Sequence, residues 1–173
     1  MRTPSAPTDC FIALGSNLGD RHANIRAAVD ALAKLPGTEL LRVSTIIETE
    51  PVGPPGQDRY LNGVAHVRTT LSPRELLQHL LRIELERGRD RANSPRWGSR
   101  TLDLDLLLFG DHIIDEPGLT VPHPRLRERL FVLEPLAEIA REQRLPTDGR
   151  TTGELLESLR RGTLVASVRP TIG

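Results

Sequence analysis

Residues 96–110 read RWGSRTLDLDLLLFG. On a strand, Leu102, Leu104 and Leu106 share one face while Asp103 and Asp105 share the other. Two carboxylates side by side repel each other and pair poorly inside a core. Metal binding is one reading: a hard cation relieves the repulsion, and Mg²⁺ takes one or two protein carboxylates with phosphate and water completing its shell. The plain alternative is the solvated outer face of an edge strand, because D-x-D is a common pattern. The context favours the first reading. A run this apolar suggests a central strand whose acidic face lines a cleft. Arg89, Arg91, Arg96 and Arg100 crowd the preceding loop. Guanidinium groups beside a carboxylate-bound metal are the components of a polyphosphate site.

Other candidates carry less on their own. Trp97, in the middle of the Arg-rich loop, reads either as a core anchor or as a ring covering a ligand. Tyr60 and Asn62 share a strand face and could present a ring and an amide to a flat heterocycle, or be ordinary half-buried positions. His123, between prolines in VPHPR, suits a phosphate or a loop carbonyl. Glu84 interrupts an apolar helix stripe, either as a snorkelling surface acid or as an acid reaching the cleft. GSNLGD at 15–20 lacks the Lys-Ser/Thr of a P-loop and the spacing of a dinucleotide fingerprint, so a tight strand-to-helix turn is expected there. The remaining histidines have no zinc-ligand spacing.

The elements that must position these groups follow from periodicity and punctuation. DCFIALG predicts a buried strand, and Ile25, Ala28, Val29 and Leu32 predict a helix stopped by LPG at 35–37. Alternation over 39–49 predicts a second strand, EPVGPPGQD a loop, and RYLNGVAHVRTT a third strand. A helix over 73–87 has Ser72 as N-cap, Pro73 in its first turn, Glu75 closing a capping box and Gly88 as its stop. GDHIIDEPGLTVPHP suggests a turn, a short extended piece and a loop. RLFVLEPLAEIA predicts another helix, and Thr151 with Glu154 caps a small last one. The order strand, helix, strand, strand, helix, strand is a split βαβ unit. The expected fold is therefore an α+β sandwich with helices on a mainly antiparallel sheet. One domain over 9–161 is expected, with flexible tails at 1–8 and 162–173.

Composition sets the outer limits. The chain has 173 residues, with 23 basic against 23 acidic side chains. No global field therefore favours nucleic acid or an anionic membrane. Lys34 is the only lysine, and arginine suits bidentate phosphate contacts, although genomic base composition explains the bias equally well. Cys10 is the single cysteine and reads as a core residue, which fits a reducing compartment. With no signal-peptide pattern and no spanning apolar run, a cytoplasmic protein is expected.

Taken together, ALGSNLGD, ETEPVG, YLN, RIELERGR, RWGSRTLDLDLLLFG, VPHPRLRER and FVLEPLAEIA resemble one family, the 6-hydroxymethyl-7,8-dihydropterin pyrophosphokinases of folate biosynthesis. They run in the family's order from about residue 10 to residue 140. The resemblance implies a ferredoxin-like sandwich and transfer of pyrophosphate from ATP to the pterin hydroxymethyl oxygen, releasing AMP. It implies that Asp103 and Asp105 hold two Mg²⁺ ions around the ATP phosphates, with Arg89 and Arg100 in closing loops as catalytic groups. It implies a pterin pocket of Tyr60, Phe131 and Asn62, with contributions from Gly15, Thr49, Val52 and Trp97. For ATP it implies Glu84, Arg91, Trp97, Arg100, Leu106, His123 and Arg129. A monomer acting on small molecules alone is expected.

The chain departs from the family pattern at several points. Glu50 stands where many members have proline, Gly118 where some have a phosphate-contacting arginine, and Pro124 where some have tyrosine. The 91–97 loop is one residue longer than in some relatives. Two competitors remain: a D-x-D nucleotidyl or glycosyl transferase, and an Arg-rich RNA-binding domain. Neutral charge, with one tryptophan, one tyrosine and three phenylalanines, argues against the second.

Overall fold

The computed structural model describes residues 5–51, 53–88 and 100–167. Its strands are β1 (Thr8–Ser16), β2 (Thr38–Val43), β3 (Ile47–Thr49), β4 (Tyr60–Thr69), β5 (Asp103–Phe109), β6 (Ile114–Glu116) and β7 (Leu119–Val121). Its α-helices are α1 (Arg21–Ala33), α2 (Pro73–Glu86), α3 (Leu130–Ala140) and α4 (Thr152–Ser167). The main sheet runs β2-β4-β1-β5, with β3 also paired to β4, and every pairing is antiparallel. This is the expected α+β sandwich, built around the split βαβ order.

Each sheet face has its own core. Cys10, Ile12, Leu14, Leu104 and Leu106 pack with Ile25, Ala28 and Leu32 of α1 and with Leu76, Leu80 and Ile83 of α2. On the opposite face Phe11, Val64, Leu107 and Leu108 pack with Leu133 and Leu136 of α3 and with Leu155 and Leu156 of α4. Apolar alternation in β1 and β4 therefore serves two covered faces.

The α2 cap forms as expected. Ser72 Oγ accepts the Glu75 N–H, and Glu75 Oε2 accepts the Ser72 N–H. Thr151 and Glu154 make the same reciprocal pair at α4, although α4 is long rather than small.

Three expectations are corrected. The single strand over 39–49 is two, β2 and β3, because register shifts along β4 kink the chain between them. Gly63 accommodates the kink: a Cβ there would lie 2.5 Å from Ile46 Cδ1. The loop after β5 contains a hairpin, β6–β7, turned at Gly118 with φ +74°. An arginine at that position would be strained in this turn. Finally, β5 is the terminal strand of the sheet, not a central one. It reads as central because its leucines pack against helices on both sheet faces.

Candidate active site

A strand at a sheet's end leaves backbone groups unpaired, and these must be satisfied when buried. On β5 two groups from distant segments do this. Glu84 of α2 accepts the Leu104 N–H at 2.8 Å, and the His123 N–H donates to the Leu107 carbonyl at 2.9 Å. Glu84 is 1% exposed, so it is not a surface acid. It secures the strand between the two aspartates, and a sequence stripe could not reveal an acceptor for an amide twenty residues away.

Across the sheet, one row defines the site. Gly15 on β1 sits opposite Asn62 of β4 on one side and Asp103 of β5 on the other. A Cβ at residue 15 would lie 3.4 Å from Asn62 Oδ1 and 3.8 Å from the Asp103 Cβ. Glycine therefore leaves a gap between an amide and a carboxylate. Asp105 follows on the same face, opposite Ala13. Asn62 Nδ2 donates to Thr49 Oγ1 at 2.6 Å, which orients the amide.

This row is the floor of a cleft of about 590 Å³ lined also by Tyr60, Arg100, His123, Arg129 and Phe131. Thr49 lines it too, so most of the expected site residues converge there. Glu84 and Leu106 do not line it; Leu106 is buried in the α1–α2 core. Val52, Arg89, Arg91 and Trp97 lie outside the described residues. The cleft also includes Glu50, Pro124, Arg125 and Glu128, none of which was expected to bind ligand. Glu50 pairs with Arg59 at 2.6 Å at the rim. Arg125 and Glu128 stand in VPHPRLRER, where their side-chain directions depend on the short 3-10 turn Leu126–Glu128.

The charges in the cleft are ordered. Arg100 Nη1 donates to Asp103 Oδ2 at 3.0 Å. The Arg125 N–H donates to His123 Nδ1 at 3.1 Å. That bond assigns the neutral ring's proton to Nε2, which stands 4.0 Å from Asp105 Oδ2. Burial holds the imidazole below its ordinary pKa, reinforced by Arg129 and Arg125 and opposed by Asp103. Arg129 lies over the Phe131 ring, 5.6 Å from its centroid. No cluster of three or more His, Cys, Asp or Glu side chains suited to a metal occurs among the described residues. Two carboxylates without a nitrogen or sulfur set suit a hard cation that draws its other ligands from phosphate and water, not a structural zinc.

An α+β sandwich carrying paired acids, arginines and a flat-walled cavity on one sheet face defines a phosphoryl-transfer class of enzyme. Residues 11–141 match the model of the family 7,8-dihydro-6-hydroxymethylpterin-pyrophosphokinase, and the chain belongs to that family. Its reaction is pyrophosphoryl transfer to hydroxymethyldihydropterin in folate biosynthesis, with ATP as co-substrate.

The 2-amino-4-hydroxy-6-hydroxymethyldihydropteridine pyrophosphokinase of Pseudomonas aeruginosa is 51% identical over 146 residues, covering 84% of this chain and 88% of the relative. The Bacillus subtilis enzyme of that name is 49% identical over 132 residues, covering 76% and 78%. Among solved structures, Plasmodium falciparum HPPK-DHPS wild type superposes with TM-score 0.71 at 13% identity, covering 97% of this chain and 47% of that one. The A437G form with SDX-DHP reaches TM-score 0.75 at 14% identity, covering 98% and 48%. At such identity the likeness concerns the fold alone, and this chain spans about half of those longer ones. No helix among the described residues is long and apolar enough to cross a membrane.

Proposed function

We propose that the Asn62–Gly15–Asp103 row brings the two substrates together, with the pterin on the Asn62 side and the ATP phosphates on the aspartate side. The gap at Gly15, between an amide and an acid on adjacent strands, is the observation that carries this reading. Tyr60 and Phe131 wall the pterin ring, and Asn62, oriented by Thr49, reads its edge through Oδ1. Asp103 and Asp105 hold Mg²⁺, two ions by family resemblance. When bound, the metal draws charge from the phosphates and acidifies the pterin hydroxyl, so that no strong protein base is required.

The chain's own residues then set geometry and charge. Arg100, aimed by Asp103, and Arg129 meet the phosphate oxygens, and neutral His123 offers its Nε2–H to one of them. Binding in one orientation aligns the hydroxymethyl oxygen with the β-phosphorus. A bond forms from that oxygen to the β-phosphorus as the bond from the β-phosphorus to the α,β-bridging oxygen breaks, and that oxygen stays on the α-phosphorus. The bridge's electron pair leaves with AMP, and the hydroxyl proton passes to solvent. Val52, Arg89, Arg91 and Trp97 complete the proposed set by resemblance. The unit is a single domain over 9–161, acting as a cytoplasmic monomer, in keeping with its balanced charge and lone buried cysteine.

Incubation with ATP, Mg²⁺ and 6-hydroxymethyl-7,8-dihydropterin, followed by identification of the nucleotide product, tests the transfer. Pterin-dependent AMP is expected. ADP would indicate simple phosphoryl transfer, and absence of pterin dependence would remove the reading.

A further inference from the structure

The segment GSNLGD leaves β1 as the expected tight turn, yet two of its polar side chains are deeply buried, Ser16 at 0% and Asn17 at 1% exposed, and so is Asn24 of α1 at 5%. Their partners lie far along the chain. The Asn17 N–H donates to the Arg100 carbonyl at 3.0 Å, and Asn17 Oδ1 accepts the Arg100 N–H at 2.7 Å. One residue thus holds both main-chain groups of Arg100. Ser16 Oγ donates to the next carbonyl, Thr101, at 2.6 Å. Asn17 Nδ2 donates to the Asp58 carbonyl at 3.1 Å, two residues before Tyr60. Behind them, Asn24 Nδ2 donates to Ser16 Oγ at 3.3 Å, and Arg87 Nη2 donates to Asn24 Oδ1 at 2.8 Å.

A satisfied buried polar network is stiff, because each partner loses its hydrogen bond if it moves. The stiffness here falls at the base of a long, rotamer-rich side chain. With its backbone held by Asn17 and its tip by Asp103, Arg100 is fixed at both ends. A tight turn needs neither a buried Asn nor contacts across 83 residues.

We propose that Asn17, with Ser16, is a positioning residue for Arg100, setting where its guanidinium meets the ATP phosphates. This rests on the reading that Arg100 acts on those phosphates. Asn17→Ala and Ser16→Ala are each prepared in the wild-type and Arg100→Ala backgrounds. The readouts are kcat, KM, melting temperature and calorimetric affinity for α,β-methylene-ATP with Mg²⁺.

Asn17→Ala lowers kcat roughly 10- to 100-fold in the wild-type background, the scale of an ångström of misplacement. It also weakens analogue binding there. In the Arg100→Ala background both losses shrink to less than about twofold, since coupled residues are non-additive. Equal losses in both backgrounds overturn the proposal while leaving Arg100's role intact. Unchanged turnover and analogue binding in Arg100→Ala alone removes that role, and the proposal with it. Should Asn17→Ala fail to fold, Ser16→Ala runs through the same cycle. It leaves the main-chain pair on Arg100, so a smaller loss of about threefold with the same non-additivity is expected; equal losses again overturn the proposal.

Discussion

Asp105→Asn gives a sharp test of whether the paired acids exist for a ligand. Strand residues two apart are separated by about 6.6 Å. At that distance two carboxylates repel by about 0.6 kcal/mol in a water-like medium and about 2.5 kcal/mol at an effective dielectric constant of 20. Asp105 is 31% exposed at its side chain and lies 4.0 Å from the His123 Nε2, an imidazole that burial holds below its ordinary pKa. Asparagine keeps the shape and removes the charge. Stability in urea should therefore hold or rise by about 0.5–2 kcal/mol. Turnover should fall by at least about 10³-fold, because charge stabilisation worth several kcal/mol is lost in the transition state. Urea midpoints and AMP release from one preparation measure both. A variant destabilised by more than about 2 kcal/mol, or one retaining a tenth or more of its turnover, would refute the reasoning, because the carboxylate would then be structural or dispensable.

Three further outcomes follow from the same geometry. Gly15→Ala should fold normally, since its Cβ would lie 3.4 Å from the nearest atom, Asn62 Oδ1, yet raise the KM for the pterin about tenfold by filling the gap in the cross-strand row; steady-state kinetics decides it. Glu84→Leu should cost about 1–3 kcal/mol by orphaning the Leu104 N–H, whereas Glu84→Gln keeps an acceptor and should stay within about 1 kcal/mol. Equal urea midpoints for the two variants would contradict that role. Burial holds His66 below its ordinary value of 6.5, with Asp9 opposing. The unfolded chain thus binds more protons near that pH, so this contribution is intact above about pH 6.5 and is lost as pH falls toward the folded pKa. Melting temperatures across that window should decline on acidification, and His66→Gln should flatten the decline.

Much of the fold was legible because its cues are local. Ser72 and Glu75 are three residues apart and cap α2 in any context that allows a helix. The D-x-D acids share a face because strand side chains alternate. The β2–β3 break was not legible, since it depends on register against β4 and on the space left by Gly63. Nor was the terminal place of β5: its apolar run reports that its leucines are buried, which helices packed on both sheet faces provide as well as a central position in a sheet. The β5 partner of Glu84 was not legible for a related reason. Helical periodicity identifies the stripe Glu84 interrupts, but not the amide on β5 that it serves.

By itself, the sequence determined which side chains could do phosphate chemistry, the elements that carry them, and the family through its combination of motifs. Tertiary structure alone decided that Asn62, Gly15 and Asp103 form one row, that Glu84 accepts the Leu104 N–H of β5, and that Asn17 grips Arg100. Periodicity and capping act over three or four residues. These juxtapositions join residues tens of positions apart, through strand register and buried hydrogen bonds that exist only once the sheet has assembled.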